Sequence, residues 1–367
     1  MLCSVFISAR ISFSKSFIPP LCGSFPLSFC HRKGRKTSPI MDAVSCSPFS
    51  LAHVIIIAAA YVRRKQAPRT CRRELVSPGM ITLFQEDGMR VIESCAECLY
   101  DKQRHLSNDP AFLSEIQEII RNRAEDDSAP YLVYLFGQVY EKHFGPRKPY
   151  AEIKRKYNDL VLTREETIRR KIEDSEHPLQ TALGYARAGN YIDFGAMNVV
   201  KDEEFLKLLE QAGLEDRDQA VMESFLRQCA KAKRFLLIAD NCGEIVLDKL
   251  FIEQIRKKFP RLEVTVMVRG GEVLNDATEE DAGYSGIDQV AQIVSNGSTV
   301  AGTVYGMLSA EARTAIDSAD VILAKGQGNY ETLNGQGRHI FYAFLCKCEL
   351  FTGRFNVPRL TGILVEE

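Results

Sequence analysis

The segment Phe235-Leu-Leu-Ile-Ala-Asp240-Asn241-Cys-Gly243-Glu244-Ile-Val-Leu-Asp248 decides the fold. Five apolar residues run into an acid, an amide and a glycine, and a helical pattern follows. A continuous apolar run of this length reads as a strand buried on both faces, the usual state in a parallel sheet. The polar residues then lie at the strand's carboxyl end, where open α/β sheets bind ligands. Asp240 and Asn241 offer hard oxygen donors to a cation, and Gly243 lets a backbone approach a ligand closely. The plainer alternative is a strand-to-helix turn in which Asp240 or Asn241 only caps the helix.

Two segments downstream repeat the pattern. Val264-Thr-Val-Met-Val-Arg269-Gly270-Gly271 is a second buried-strand run, followed by Leu274-Asn275-Asp276-Ala-Thr278 at the start of a helix. Val321-Ile-Leu-Ala-Lys325-Gly326-Gln-Gly328-Asn329-Tyr330-Glu331 is a third. Two of the polar clusters carry Asp and Asn, suited to a divalent cation. Two carry Arg or Lys with Gly, suited to a phosphate.

The order Asp240-Asn241-x-Gly243-Glu244-Ile245, Arg269-Gly270 with Asn275-Asp276-Ala-Thr, and Ala324-Lys325-Gly326-x-x-Asn329-Tyr330-Glu331 resembles the DUF89 family of metal-dependent damage-control phosphatases. Three other pieces agree with it. Cys95-x-x-Cys98-Leu resembles the cysteine pair of the family's archaeal and bacterial branch. Gly189-Asn190-x-x-Asp193-Phe-Gly195 resembles its middle motif, and Leu345-Cys-Lys347-Cys348-Glu its C-terminal motif. The resemblance covers roughly residues 80 to 367.

The resemblance implies a divalent metal, manganese or magnesium with cobalt or nickel as alternatives, held by Asp240, Asn241 and Asp276. Hard cations take oxygen ligands and keep waters, which leaves room for a phosphate oxygen. Lys325 then reads as a phosphate-binding cation, helped by backbone N–H groups near Gly326 and Gly328. Arg269 reads either as a second phosphate ligand or as a structural ion-pair partner. Glu244 either positions a water or stabilises the positive end of the following helix. Asn190 and Asp193 are expected to reach the same pocket from the helical part. Asn275, Asn329 and Glu331 complete the candidates for substrate and phosphate binding.

Charge divides the chain. Residues 1–79 carry twelve Lys/Arg against Asp42 and Glu74, which leaves 35 bases and 46 acids for the remainder. A globular part this acidic is a poor nucleic-acid binder. The first 79 residues lack periodicity and do not read as a domain. Their apolar stretch 51–62 is too short to span a bilayer, and Arg63-Arg64-Lys65 after it is the wrong flank for a secretory signal. The preferred reading is an upstream extension outside the native protein, since Met80 begins the stretch that matches the family's start. A transit-like leader or a short membrane-associating segment are the alternatives. Of eleven cysteines, five fall in this leader. The other six read as reduced cytosolic usage. Cys95 and Cys98 are either half a metal site or redox pair, or plain buried side chains. Cys242 lies inside the metal motif, where it could be sensitive to oxidation.

Residues 80–232 read as helical, with helix starts at Asp109-Pro110 and Ala129-Pro130 and one long charged helix from Glu152 to Arg170. His105, His143 and His177 read as surface or cap residues. Strands are expected at 235–239, 264–268, 289–294 and 320–324, with 299–302 as a further candidate. The fold class is therefore α/β: a Rossmann-like three-layer core with a parallel sheet over 233–367, joined to an N-terminal helical domain over 80–232.

The expected function is hydrolysis of a small phosphorylated metabolite, a sugar phosphate or damaged phosphometabolite, by a cytoplasmic enzyme. No nucleic-acid partner and no stable membrane insertion are expected. Two rivals remain: a nucleotide- or S-adenosylmethionine-binding enzyme, and a non-catalytic metal-binding module. Against the first, no strand is followed by G-x-G-x-x-G.

Overall fold

The computed structural model describes residues 89–195 and 200–367. The leader 1–79, its apolar stretch and the start at Met80 lie outside the described residues. Thirteen helices and six strands are described. The helices before the sheet are α1 (Glu93–Leu106), α2 (Pro110–Arg121), α3 (Ala129–Phe144), α4 (Ala151–Leu162), α5 (Glu165–Glu173), α6 (Pro178–Gly189), α7 (Asp202–Glu210) and α8 (Gln219–Cys229). The remainder runs β1 (Arg234–Ile238), α9 (Glu244–Lys258), β2 (Glu263–Val268), α10 (Glu279–Ser285), β3 (Gln292–Ser295), α11 (Ala310–Ser318), β4 (Val321–Lys325), α12 (Gln327–Leu333), β5 (Phe341–Leu345), α13 (Glu349–Phe355) and β6 (Gly362–Glu366).

Local chemistry sets the helix ends. Asp109 accepts from the Phe112 backbone at 2.8 Å ahead of Pro110, and Ser128 accepts from Tyr131 ahead of Pro130. Both are side-chain caps with proline in the first turn, where its missing N–H is no loss. The long helix expected over 152–170 is two helices, broken at Thr163 and Arg164. The break lets Val161 and Ile172 both reach the core.

The sheet order is β3-β2-β1-β4-β5-β6. Strands β1 to β5 pair in parallel, with Leu237 opposite both Val266 and Leu323. β6 pairs antiparallel with β5, so the sheet is mixed rather than wholly parallel. The candidate strand 299–302 is irregular backbone. β1 lies between β2 and β4, and the order reverses there, so the crevice above β1 and β4 is the expected ligand position.

Alternation along the strands builds the three layers. Phe235 and Leu237 face one side with α4 to α10, while Leu236 and Ile238 face the other with α11 to α13. All four are almost fully buried. At about 1.5–3 kcal/mol for each buried side chain of this size, a one-residue slip in register would be severe. The boundary expected at 232/233 does not divide two cores. Tyr157, Ile172, Leu183 and Phe225 from the helical stretch share one cluster with the sheet. Only α1 to α3 keep a small cluster of their own, and the described residues belong to one compact unit. Among the described residues no helix is long and apolar enough to cross a membrane.

Candidate active site

The turn after β1 brings Asp240, Asn241 and Glu244 to the carboxyl edge of the sheet, and all three are buried. Neither Asp240 nor Asn241 caps α9. Gly243 holds that position at φ +78°, and its N–H donates to Asn158 Oδ1 at 2.7 Å. The loop after β2 adds Arg269, Asn275 and Asp276, and Asn241 and Asp276 meet in a backbone bridge. Asp240 and Asp276 are thus joined by geometry as well as by charge.

Arg269 is the ion-pair partner. Its Nε donates to Asp276 Oδ2 at 2.6 Å, Nη2 to Asp240 Oδ1 at 3.2 Å, and Nη1 to Asn329 Oδ1 at 3.2 Å. Asn329 sits inside this network and accepts also from Thr303. Asn190 reaches the site from the end of α6, as expected. Its Nδ2 donates to Asp240 Oδ2 at 3.1 Å and to Glu244 Oε2 at 3.0 Å, and its Oδ1 accepts from the Leu345 backbone.

Asn241 Nδ2 faces the same two carboxylates, 2.6 Å from Asp240 Oδ2 and 3.1 Å from Glu244 Oε2. Two acceptors on one side fix the amide, since only its NH₂ can face them. The Asn241 carbonyl oxygen is thereby turned the other way.

Lys325 departs from expectation. Its ammonium is fully buried and donates to Glu244 Oε1 at 2.7 Å, Asp248 Oδ1 at 2.7 Å and the Ala186 carbonyl at 3.0 Å. An ammonium has three donors, so this arrangement leaves none for a phosphate. Lys325 ends β4 with its stem pointing toward Glu244 and Asp248 of α9, not toward the crevice. Glu244 is correspondingly saturated by Lys325, Asn190 and Asn241, rather than free to position a water or to serve the helix end alone. Gly326 allows this packing: at φ +82°, a Cβ here would overlap the Asp240 carboxylate.

Asn275 also has a different role from that expected. Its Nδ2 donates to the Ile192 carbonyl at 2.8 Å and its Oδ1 accepts from Phe194 N at 3.0 Å. It holds the backbone on both sides of Asp193. Asp193 pairs with Lys347, Nζ to Oδ2 at 2.7 Å. The Asp193 charge raises the pKa of Asp240, Asp276 and Glu331, which places it at the edge of the carboxylate group. Glu331 is half-buried. Burial, partly offset by Lys102, pushes its carboxyl up to about 7.

Electrostatics describes a site short of positive charge. Burial, then Asp276 and Glu244, drive Asp240 well above the usual carboxylate range against the pull of Arg269. Burial lifts Asp276 to about 6 and Asp248 to about 7, with Arg269 and Lys325 opposing. Burial alone would depress Lys325, but Asp248 and Glu244 hold it above its ordinary value. Counted as ionised, Asp240 and Asp276 face the single cation Arg269, Glu244 and Asp248 face Lys325 behind them, and Asp193 is matched by Lys347, so each of the first two groups is short of one positive charge. That deficit, and a donor set of two carboxylates and an amide carbonyl, fit a hard dication. Among the described residues no three His, Cys, Asp or Glu side chains form a cage of their own.

Two residues of the site were not assigned from sequence. Asp248 follows Glu244 by four residues, which puts both acids on one helix face, and the i,i+4 spacing was a usable signal. Lys347 ends the apolar run of β5, which was itself not read as a strand. The cysteines carry less than the sequence allowed. Cys242 is fully buried and burial raises its thiol. Burial pushes Cys95 to about 12, and all six described cysteines are free thiols.

The family model for the damage-control phosphatase ARMT1-like domain matches residues 86–361. The chain belongs to this family. It is 30% identical over 276 residues to a damage-control phosphatase of Archaeoglobus fulgidus, covering 71% of this chain and 93% of that one. It is 32% identical over 234 residues to a damage-control phosphatase of Pyrococcus horikoshii, covering 63% and 78%. The crystal structure of a DUF89 family protein from Pyrococcus horikoshii superposes with a TM-score of 0.62 at 26% identity, over 76% of this chain and 99% of that one. In this ARMT1-like domain the motif residues of β1, β2 and β4 converge on one crevice, and Lys325 alone of the charged ones is directed behind it.

Proposed function

We propose that this chain is a divalent-metal-dependent phosphatase acting on phosphomonoesters of small metabolites. The observation that carries the reading is that Asp240 and Asp276 share one cation, Arg269, beside the Asn241 amide, at the point where the strand order reverses. Family membership and the names of the relatives support the reaction class. Asp240, Asp276 and the Asn241 carbonyl would hold manganese or magnesium, which supplies charge neutralisation at the phosphoryl oxygens.

Phosphoryl transfer depends chiefly on positioning and charge, and the protein's groups serve those ends. Arg269 keeps Asp240 and Asp276 parallel and shares their charge. Lys347 takes the phosphate-binding part first expected of Lys325. Its ammonium is buried against Asp193, and would exchange that carboxylate for the phosphate. Glu331, with a carboxyl held near 7, can carry a proton at neutral pH and give it to the departing alkoxide. Water is the nucleophile in this scheme, because both site aspartates are tied to Arg269 and to the cation. The β1 turn presents a carboxylate where a pyrophosphate would need amide donors, which disfavours a dinucleotide ligand. The test is a panel of phosphorylated metabolites offered to the metal-loaded protein, with inorganic phosphate release as the readout. Release from none of them, nor from an aryl phosphate, would overturn the reading.

A further inference from the structure

Asp248 makes no contact with the crevice, yet it is fully buried and is one of two carboxylates on Lys325. Its Oδ1 takes the ammonium at 2.7 Å, the same distance as Glu244 Oε1. Its Oδ2 has no hydrogen-bond partner. A buried carboxylate with an orphaned oxygen is costly, and nothing in the packing of α9 requires one. Its neighbours one turn away on α9, Ile245, Phe251 and Ile252, are apolar and fully buried. The acid is therefore there for Lys325.

The consequence runs through Glu244. Without a second carboxylate, Lys325 would centre on Glu244 and draw both of its oxygens. Glu244 Oε2 would then leave the amides of Asn190 and Asn241, which it now accepts at 3.0 and 3.1 Å. We propose that Asp248 is a positioning residue: by sharing Lys325 with Glu244 it keeps Glu244 Oε2 on the two amides, and so keeps the Asn241 carbonyl turned toward the cation. This rests on the metal-site reading above for its last step only. Outer partners that orient ligands in this way commonly carry a tenfold or larger share of metal affinity.

The experiment has two arms. In the first, the side-chain amide signals of ¹⁵N-labelled asparagines are followed in metal-free protein. Asp248→Ala should shift or broaden the Asn190 and Asn241 amide pairs, assigned by substitution. Asp248→Asn, which keeps an oxygen for Lys325, should leave them in the wild-type pattern. Unchanged signals in Asp248→Ala would overturn the proposal. In the second arm, Mn²⁺ affinity is measured by calorimetry in a double-mutant cycle. Asp248→Ala should weaken binding about tenfold in the wild-type background, and by less than twofold when Asn241→Ala is already present. Equal losses in both backgrounds would show that Asp248 acts by charge alone, and would overturn the proposal. Asp248→Ser carries both comparisons if Asp248→Ala does not fold. If the wild type takes up no Mn²⁺ while the amide signals respond as stated, the positioning role stands and the metal reading falls.

Discussion

Gly326 lies so close to Asp240 that any β-carbon at position 326 would overlap the Asp240 carboxylate. The residue after β4 is thus fitted to the second residue after β1, across the two strands that flank the crevice. Gly326→Ala should add about 1–3 kcal/mol of backbone strain, since φ +82° with ψ 156° is a region adopted essentially by glycine alone, and push Asp240 out of line. Mn²⁺ affinity should fall by roughly 10–100-fold while the protein still melts cooperatively. Calorimetric titration reads this directly, and an unchanged affinity would separate Gly326 from the site.

Lys325 is expected to behave as a structural cation. Lys325→Met removes the charge but keeps the length, leaving Glu244 and Asp248 buried and unpaired. The loss should be about 3–5 kcal/mol of folding stability, measured by urea unfolding of metal-free protein. A variant as stable as wild type but without phosphatase activity would return Lys325 to the phosphate.

Lys347→Ala makes the opposite split. Metal affinity should stay at its wild-type value or rise slightly, since a positive charge leaves the neighbourhood. Turnover should lose about 2–4 kcal/mol of transition-state stabilisation, the range for one preorganised electrostatic contact. Steady-state kinetics at saturating metal is the check, and kcat/KM equal to wild type would remove Lys347 from the phosphate site.

Asp248 and Glu331 both titrate near 7 in the folded chain, above the ordinary values of 3.8 and 4.5. Burial is the leading cause for each, with Lys325 opposing at Asp248 and Lys102 at Glu331. The folded state therefore holds protons that the unfolded state has released, and stability falls as pH rises between those limits. Metal-free protein should melt at a lower temperature at pH 8 than at pH 5.5. The double variant Asp248→Asn, Glu331→Gln should reduce that difference, with Asp240 and Asp276, also raised by burial, supplying the remainder. Calorimetric melts in chelator decide it, and the same pH slope in the double variant would assign the effect to other groups.

Much of this site was legible in the sequence because it lies at strand ends. The runs 235–239, 264–268 and 321–324 are apolar without interruption, and a polar residue after such a run has only the carboxyl edge to occupy. That logic located Asp240, Asn241, Asp276 and Arg269. It failed for Lys325, whose alternatives differ in stem direction. The side of the sheet to which a residue at a strand's last position points depends on pairing register, here Ala324 opposite Tyr342, which the local pattern does not encode. Asn275 was misread for a related reason. An amide beside a ligand aspartate looks like a site residue, and only the path of 192–194 shows that it binds backbone. β6 escaped notice because its apolar run is only Ile363-Leu364-Val365 between Gly362 and Glu366, shorter than the runs that marked β1, β2 and β4. The stretch read as a helical domain packed on the α/β layer shares a cluster with the sheet, and amphipathic helices do not reveal in sequence which partner covers their apolar face.

The most direct measurement is hydrolysis of an aryl phosphate by protein stripped of metal with chelator, before and after Mn²⁺ or Mg²⁺ is restored, in wild type, Asp240→Ala and Asp276→Ala. The expected result is no turnover in stripped protein, recovery in the wild type on adding the cation, and no recovery in either variant despite a cooperative melt. Turnover by the stripped wild type, or metal-dependent turnover at the wild-type rate in either variant, would contradict the assignment of Asp240, Asn241 and Asp276 as the seat of a catalytic cation.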